Sequence, residues 1–265
     1  MNALSPPERI LQELGVTDPR EIDLEAIAWH LGARIKRCEL DGCEARIIGH
    51  RDRAIIRVSC LSHPRRQRFS IGHELGHWHH HRGRMLICRP EEIGNQRRAP
   101  PVERAADRYA ADLLLPRYLL DPLARHYTRL TMRAVRELAE LFETSITATA
   151  IRLVENGHSP ALLVCHGPRG RKWFTRSPDV PERWFPQEQL DSESFAFSLL
   201  FGQGPEEAQP RLIGADAWFD RSEAQRYELH EQSIRTSSDE ILTILLVSDE
   251  RMLVDSGAPS GYRRR

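Results

Sequence analysis

The run HELGH at residues 73–77 constrains this chain more than any other feature of its sequence. It has the form HExxH, with two histidines four residues apart. On a helix, His73 and His77 project from one face and can bind the same Zn²⁺ ion, while Glu74 beside them can reach a water molecule on that ion. The pattern therefore predicts a hydrolytic zinc site.

A buried helix suits this run better than a histidine-rich surface helix. Apolar residues recur through the run at near-helical spacing, and Ser70 or an earlier residue can begin the helix. These apolar residues are Phe69, Ile71, Leu75 and Trp78. The three histidines at 79–81 continue past the motif and are interpreted as exposed.

A working zinc site needs a third protein ligand and one open position for water. Residues 102–116 are rich in alanine and leucine and end at a proline, which predicts a buried helix. Glu103 and Asp107 are four residues apart and share a face of that helix. Glu103 is the predicted third ligand, and Asp107 is predicted to orient a ligating histidine. The alternative is that both acids are exposed and pair with arginines nearby.

The predicted chemistry is peptide hydrolysis. Zinc would lower the pKa of a bound water and polarise the substrate carbonyl. Glu74 would take the proton of the water and pass it to the leaving amine. Tyr109, His126 and Tyr127 are alternative donors to the developing oxyanion, and the sequence does not choose among them.

Together, HELGH and the later E-x-x-A-D-x-Y-A-x-x-L-L-L-P resemble the two motifs of the ImmA/IrrE family of intracellular bacterial zinc metallopeptidases. The usual second motif of that family is E-x-x-A-N-x-F-A-x-x-L-L-M-P. Asp107, Tyr109 and Leu115 stand where that motif has Asn, Phe and Met. The resemblance implies a zincin-like α+β fold, with metal ligands His73, His77 and Glu103 and general base Glu74.

The same resemblance implies a function. It favours a regulatory zinc endopeptidase that cleaves a helix-turn-helix transcriptional repressor in response to DNA damage or infection, in stress response or antiviral defence. The alternative is a transcription-regulating or toxin-neutralising binding protein with a structural zinc. A third class, a metal-dependent amidase for a small molecule, would require a deep pocket.

Composition agrees with a cytoplasmic protein that has no membrane segment. Of the 265 residues, 40% are hydrophobic and 29% are charged, and no apolar run is long enough to span a bilayer. The first residues lack the basic and apolar blocks of a signal peptide. The five cysteines are therefore interpreted as free thiols.

Formal net charge is zero, so the global balance predicts no polyanionic partner. Arginines nevertheless cluster around the HELGH run, which leaves two interpretations open: a solvated surface with internal ion pairs, or a surface for an activating nucleic acid, with single-stranded DNA as the first candidate. The clustered residues are Arg65, Arg66, Arg68, Arg82, Arg84, Arg89, Arg97 and Arg98.

The polar segment 82–101 between the two motifs is predicted to be a long loop. It contains Cys88, and because thiolate binds zinc strongly, Cys88 is a possible inhibitory fourth ligand that holds the enzyme latent. The alternative is a small buried residue at a loop anchor. Cys38 and Cys43 are interpreted as parts of a hairpin and not of a zinc knuckle.

Four consecutive regions are predicted. Residues 1–128 form the zinc metallopeptidase domain, with two short helices and a small sheet before the HELGH helix. Residues 129–158 form a helix-turn-helix-like linker segment, for which packing is favoured over DNA reading. Residues 159–256 resemble a GAF-like α/β sensor or docking domain, with a helix predicted over 222–234. Residues 257–265 are predicted to be a disordered tail.

Overall fold

The structure is a computed structural model that describes residues 3–80, 100–202 and 209–254. By internal contacts, the chain divides into two units. The first comprises residues 1–123 and 137–149, and the second comprises residues 124–136 and 150–265. Both units contain helices and a sheet, so the predicted mixed α+β class is confirmed. None of the helices in the described ranges has the length and hydrophobicity that a membrane span requires.

The first unit begins with two short helices, α1 (Pro6–Glu13) and α2 (Leu24–His30). Each begins at a residue that can cap it. At α1 the Glu8 carboxylate accepts the backbone N–H of Ser5 at 2.9 Å, and at α2 the Asp23 carboxylate accepts the backbone N–H groups of Glu25 and Ala26. Glu8 is buried and also accepts the backbone N–H of Arg117 at 2.7 Å, which ties α1 to the chain after the second motif.

A three-stranded sheet follows, built from β1 (Ala33–Cys38), β2 (Ala45–His50) and β3 (Arg53–Ser59). The order is β1-β3-β2, with β1 parallel and β2 antiparallel to β3. A sharp turn joins β2 to β3, and Arg51 there has φ of 54°. The predicted small sheet before the HELGH helix is thus present.

Two long helices, α3 (Pro64–His80) and α4 (Pro101–Leu114), carry the two sequence motifs, and α5 (Arg117–Ala124) follows them. The inner face of the sheet packs on α3. Trp78 of α3 lies against Gly49 of β2, where a Cβ atom would come within 2.3 Å of the indole ring. The Trp78 indole N–H donates to the carbonyl of Leu31 at 2.8 Å, so this side chain fixes the helix against the start of β1.

The predicted helix-turn-helix-like segment consists of α6 (Met132–Leu141) and α7 (Ile146–Glu155). Glu143, in the turn between them, has φ of 53°. Thr149 is fully buried, and its hydroxyl lies 2.7 Å from that of Thr144. A buried side chain cannot contact the edge of a base. Thr149, one of the polar residues of α7, therefore has a packing role.

The second unit contains a five-stranded antiparallel sheet in the order β5-β4-β8-β7-β6. Its strands are β4 (Ala161–Gly167), β5 (Gly170–Arg176), β6 (Arg211–Gly214), β7 (Glu228–Ser237) and β8 (Glu240–Val247). One face packs against α8 (Phe195–Phe201) and the buried side chains of Trp184, Trp218 and Phe219.

The prediction of a helix over residues 222–234 is wrong. Residues Ser222–Arg226 form a short 3₁₀ turn, and β7 begins at Glu228. The residues of this segment favour a helix in isolation. Pairing with β8 outweighs that preference, because it places Leu229 opposite Val247 and buries Leu229 in the core.

His166, on β4, is the basis of a prediction about acid stability. It is 1% exposed, and its ring lies 5.7 Å from that of Trp218. Burial lowers the pKa of His166 from 6.5 to about 4. Between pH 6.5 and pH 4, His166 is therefore protonated in the unfolded chain and neutral in the folded chain. The stability that is present above pH 6.5 is lost as the pH falls toward 4.

Between pH 7.5 and pH 5 this histidine should lower the free energy of unfolding by about 2 kcal/mol. Urea unfolding followed by tryptophan fluorescence measures the change. His166→Leu should lose less stability over this range than wild type, whereas His126→Leu, which alters an exposed histidine of the same unit, should behave as wild type. Equal pH dependence in all three proteins would contradict the prediction.

Candidate metal centre

The metal centre is built where α3 and α4 cross. His73, Glu74 and His77 come from α3, and Glu103 and Asp107 come from α4. His73 and His77 are one helical turn apart, as are Glu103 and Asp107, so each helix turns one pair of side chains toward the other. The structure brings together the three side chains that the sequence predicted as metal ligands, His73, His77 and Glu103.

The three ligand side chains converge on one point. The Nε2 atoms of His73 and His77 are 3.0 Å apart, and the Oε2 atom of Glu103 lies 3.1 Å from the first and 3.3 Å from the second. All three residues are buried, and their donor atoms form a compact triangle suited to a single metal ion.

Asp107 fixes the orientation of His73. The Nδ1 atom of His73 lies 2.9 Å from Oδ1 of Asp107, a carboxylate that is 1% exposed. A carboxylate accepts hydrogen bonds, so this contact suits a His73 tautomer that carries its hydrogen on Nδ1 and leaves Nε2 for a metal ion. This contact is the one predicted for Asp107.

The electrostatics of the site favour a cation. Glu74, Glu103 and Asp107 are three carboxylates that are each at most 9% exposed, and His73 and His77 lie between them. Burial lowers the pKa of His73, but the hydrogen bond and charge of Asp107, with the charges of Glu74 and Glu103, outweigh it and raise that pKa. Buried anions require a counter-charge, and a divalent cation bound by this set would supply it.

Small residues allow the two helices to approach closely enough to form the site. A Cβ atom on Gly76 would lie 2.9 Å from the Cα of Ala106 and 3.0 Å from the Cβ of Tyr109. A Cβ atom on Gly72, one turn earlier, would lie 3.2 Å from the Cβ of Ala110. The glycine inside the HELGH motif therefore permits the contact that brings Glu103 to the histidines.

Gly76→Ala should force α3 and α4 apart. Overpacking of this kind costs about 1–3 kcal/mol, partly offset by the roughly 1 kcal/mol that Ala gains over Gly within a helix. The metal content of the purified protein should fall, since the ligand triangle spans both helices. Gly72→Ala is a milder substitution that serves as the control, because the neighbours of residue 72 need a smaller shift to accommodate the added methyl group. Equal metal content in Gly76→Ala and wild type would show that the helix spacing tolerates the methyl group.

Tyr109, a possible oxyanion donor, is buried on α4 with its ring 5.2 Å from that of His79. His126 and Tyr127, the other two donors considered, belong to the second unit. Cys88, the possible fourth ligand, lies outside the described residues.

Two of the clustered arginines that follow the sheet form ion pairs. Arg65 pairs with Glu140, and Arg68 pairs with Glu143 at 3.1 Å. These two guanidinium groups match the interpretation of internal ion pairs. The clustered arginines at positions 82, 84, 89, 97 and 98 lie outside the described residues.

Comparison with known proteins agrees with this geometry. Residues 30–154, which include every residue of the centre, match the family model Peptidase_M78, described as the IrrE N-terminal-like domain. Residues 30–154 of this chain are similar to the Peptidase_M78 domain. The resemblance to the ImmA/IrrE family, predicted from the two motifs, is confirmed.

One solved structure extends the likeness beyond residues 30–154. It is a Mycobacterium tuberculosis transcriptional regulator, 13% identical to this chain, and the match covers 97% of this chain and 91% of that one with a TM-score of 0.58. At this identity the match shows a shared fold. None of the curated protein sequences matches the chain significantly.

Proposed function

We propose that this protein is a zinc-dependent endopeptidase. The observation that carries the proposal is the convergence of His73, His77 and Glu103 on one point, with Glu74 buried beside them on α3. The Peptidase_M78 match supports a peptidase. The zinc dependence is inferred from the chemistry of the donor set.

Two imidazole nitrogens and one carboxylate form a common donor set of catalytic zinc sites. Four tetrahedral ligands with bonds of about 2.0–2.1 Å would be roughly 3.3 Å apart. The three separations of 3.0–3.3 Å come within a few tenths of an ångström of that value. The set contributes three protein ligands, which is the number that leaves a position for water in a catalytic site.

Zinc, when bound, would supply Lewis-acid activation of a water molecule and of the scissile carbonyl. Glu74 would accept the proton of the attacking water and donate it to the leaving amine. Asp107 would hold His73 in the tautomer that presents Nε2 to the metal, and Gly76 would keep α4 close enough for Glu103 to complete the set.

The proposed substrate is a helix-turn-helix transcriptional repressor, cleaved in response to DNA damage or infection. The support is the family likeness, together with the fold shared with a chain titled transcriptional regulator. Co-expression with a repressor encoded beside the gene, followed by electrophoresis, tests the proposal. Specific fragments should form with wild type and not with Glu74→Gln. Intact repressor with both proteins would contradict this substrate.

The second candidate is a transcription-regulating or toxin-neutralising protein in which zinc has only a structural role. The buried carboxylate of Glu74 argues against it, since a structural site requires no general base and usually has four protein ligands. Among the described residues, the ligand cluster contains three.

For the second unit we propose a GAF-like sensor or docking role. Its support is the antiparallel sheet with α8 on one face, and a surface groove of about 630 Å³ whose lining includes Tyr227, Asp249 and Arg251. The inhibitory role of Cys88 remains a proposal founded on its position between the two motifs.

A further inference from the structure

The outer face of the three-stranded sheet is basic along all three strands. Register places one row of side chains on the face opposite α3, from every second residue of each strand. Apart from Cys38 and Ser59 at the strand ends, this row contains five cations, one histidine and two isoleucines, and no acid. We call it the basic sheet face, and define it as Arg34, Lys36, Arg46, Ile48, His50, Arg53, Ile55 and Arg57.

The charges of this face are not neutralised within the described part of the chain. Its five cations form no ion pair with any carboxylate there, and neighbouring acids such as Asp52 lie in the turns at the strand ends. Arg37, which register places on the opposite face, does pair with Glu25 of α2. The contrast leaves a formal charge of +5 on one side of a small sheet, in a protein whose total formal charge is zero.

Exposed apolar groups lie among these cations. Ile48 and Ile55 are paired neighbours at the centre of the face and are 45% and 48% exposed. Trp29, at the end of α2, is 64% exposed, and the guanidinium group of Arg34 lies 4.8 Å from the centre of its ring. The face thus combines phosphate-binding cations with an aromatic ring and guanidinium planes on which bases can stack.

The balance of charge indicates the class of partner. The cores of protein–protein interfaces are depleted of charged residues, whereas interfaces with nucleic acids are much more positively charged. With five cations, two isoleucines and one tryptophan, the basic sheet face and Trp29 have the composition of an interface with nucleic acid. A double helix is a poor fit, because three strands about 4.8 Å apart, with their side chains, exceed a major groove roughly 12 Å wide. A single strand can lie across a flat sheet.

We infer that the basic sheet face, with Trp29, is a docking site for single-stranded nucleic acid. Phosphates would contact Arg34, Lys36, Arg46, Arg53 and Arg57, and bases would stack on Trp29 and on the exposed guanidinium planes. The inner side of the same sheet packs on α3, so a strand bound here lies one layer from the metal helix.

Fluorescence anisotropy of the full-length protein with a labelled 20-mer of deoxythymidine, and with the matching 20-mer of uridine, tests the site. The logarithm of the binding constant should fall with the logarithm of salt concentration with a slope of about −3.5, since each of five neutralised phosphates contributes about −0.7. The oligomer that binds more tightly shows whether the bound strand is DNA or RNA.

Lys36→Glu with Arg53→Glu should weaken binding at least tenfold, and Trp29→Ala should weaken it roughly fivefold or more. The matched control is Arg9→Glu with Arg20→Glu, which changes two exposed cations of the same unit away from the sheet. It should bind as wild type. Unchanged thermal unfolding and zinc content show that each variant is folded.

Four results would overturn the inference. They are failure of wild type to bind either oligomer at 50 mM salt, equal losses in the two double variants, binding unaffected by Lys36→Glu with Arg53→Glu, and duplex DNA that competes as well as the single strand. Binding of polyglutamate that depends on Lys36 and Arg53, without binding of either oligomer, would assign the face to an acidic protein instead.

Discussion

Glu74→Gln should reduce peptide cleavage by roughly 10² to 10⁴-fold, the range that a general acid–base group contributes. The amide keeps the size of the carboxylate but cannot accept a proton from water. Glu74 does not belong to the ligand triangle of His73, His77 and Glu103, so the purified variant should retain about one zinc per chain. Cleavage rate and metal content are measured on the same preparation.

An exposed glutamate provides the matched control for this substitution. Glu13→Gln, at the end of α1, makes the same chemical change far from the motif and should cleave at the wild-type rate. Full activity in Glu74→Gln would end the proposed mechanism. Loss of zinc together with loss of activity would assign Glu74 to metal binding instead.

The centre could be predicted from the sequence because its residues obey helical spacing. His73 and His77 are four apart, and so are Glu103 and Asp107, and this spacing defines a shared face before any tertiary contact is known. The crossing of the two helices could not be predicted in the same way. It depends on Gly76 meeting Ala106, a contact between segments that sequence periodicity does not relate.

The second unit shows where sequence reasoning fails. Residues 228–234 contain glutamate, leucine and glutamine, which favour helices, and the segment nevertheless forms a strand. The strand buries Glu231, whose carboxylate accepts hydrogen bonds from the Ala196 backbone at 2.8 Å and the Trp218 indole at 3.2 Å. From sequence alone a glutamate such as Glu231 would be assigned to the surface, because its hydrogen-bond partners are distant along the chain.

Spacing along the chain does not show which arginines share a surface. Arg65 and Arg68 are close in sequence, and both form ion pairs, as one of the two interpretations of the arginine cluster predicted. The basic sheet face is dispersed over three strands, with its cations separated by apolar residues. Only register, which pairs Lys36 with Arg57 and Arg57 with Arg46, shows that these charges share one surface.

Glu103→Ala should remove most of the bound zinc, whereas Asp107→Ala should weaken zinc affinity by roughly 10 to 100-fold, as substitutions of groups that orient a ligand do. The difference follows from position: Glu103 contributes an oxygen to the triangle, while Asp107 contacts the far nitrogen of His73 and contributes no atom to the triangle. Competition with a chromophoric chelator measures both affinities. Asp112→Ala, on the same helix, is the control and should bind as wild type.

A second measurement separates loss of a ligand from loss of the fold. In zinc-free protein, Glu103→Ala leaves two buried carboxylates in place of three, so the remaining anions repel each other less. The melting temperature of this variant in chelator should therefore equal or exceed that of wild type, and added zinc should raise it far less than it raises wild type. Equal stabilisation of both proteins by zinc would remove Glu103 from the ligand set, and the third ligand would have to be another carboxylate, such as Glu91, Glu92 or Asp112.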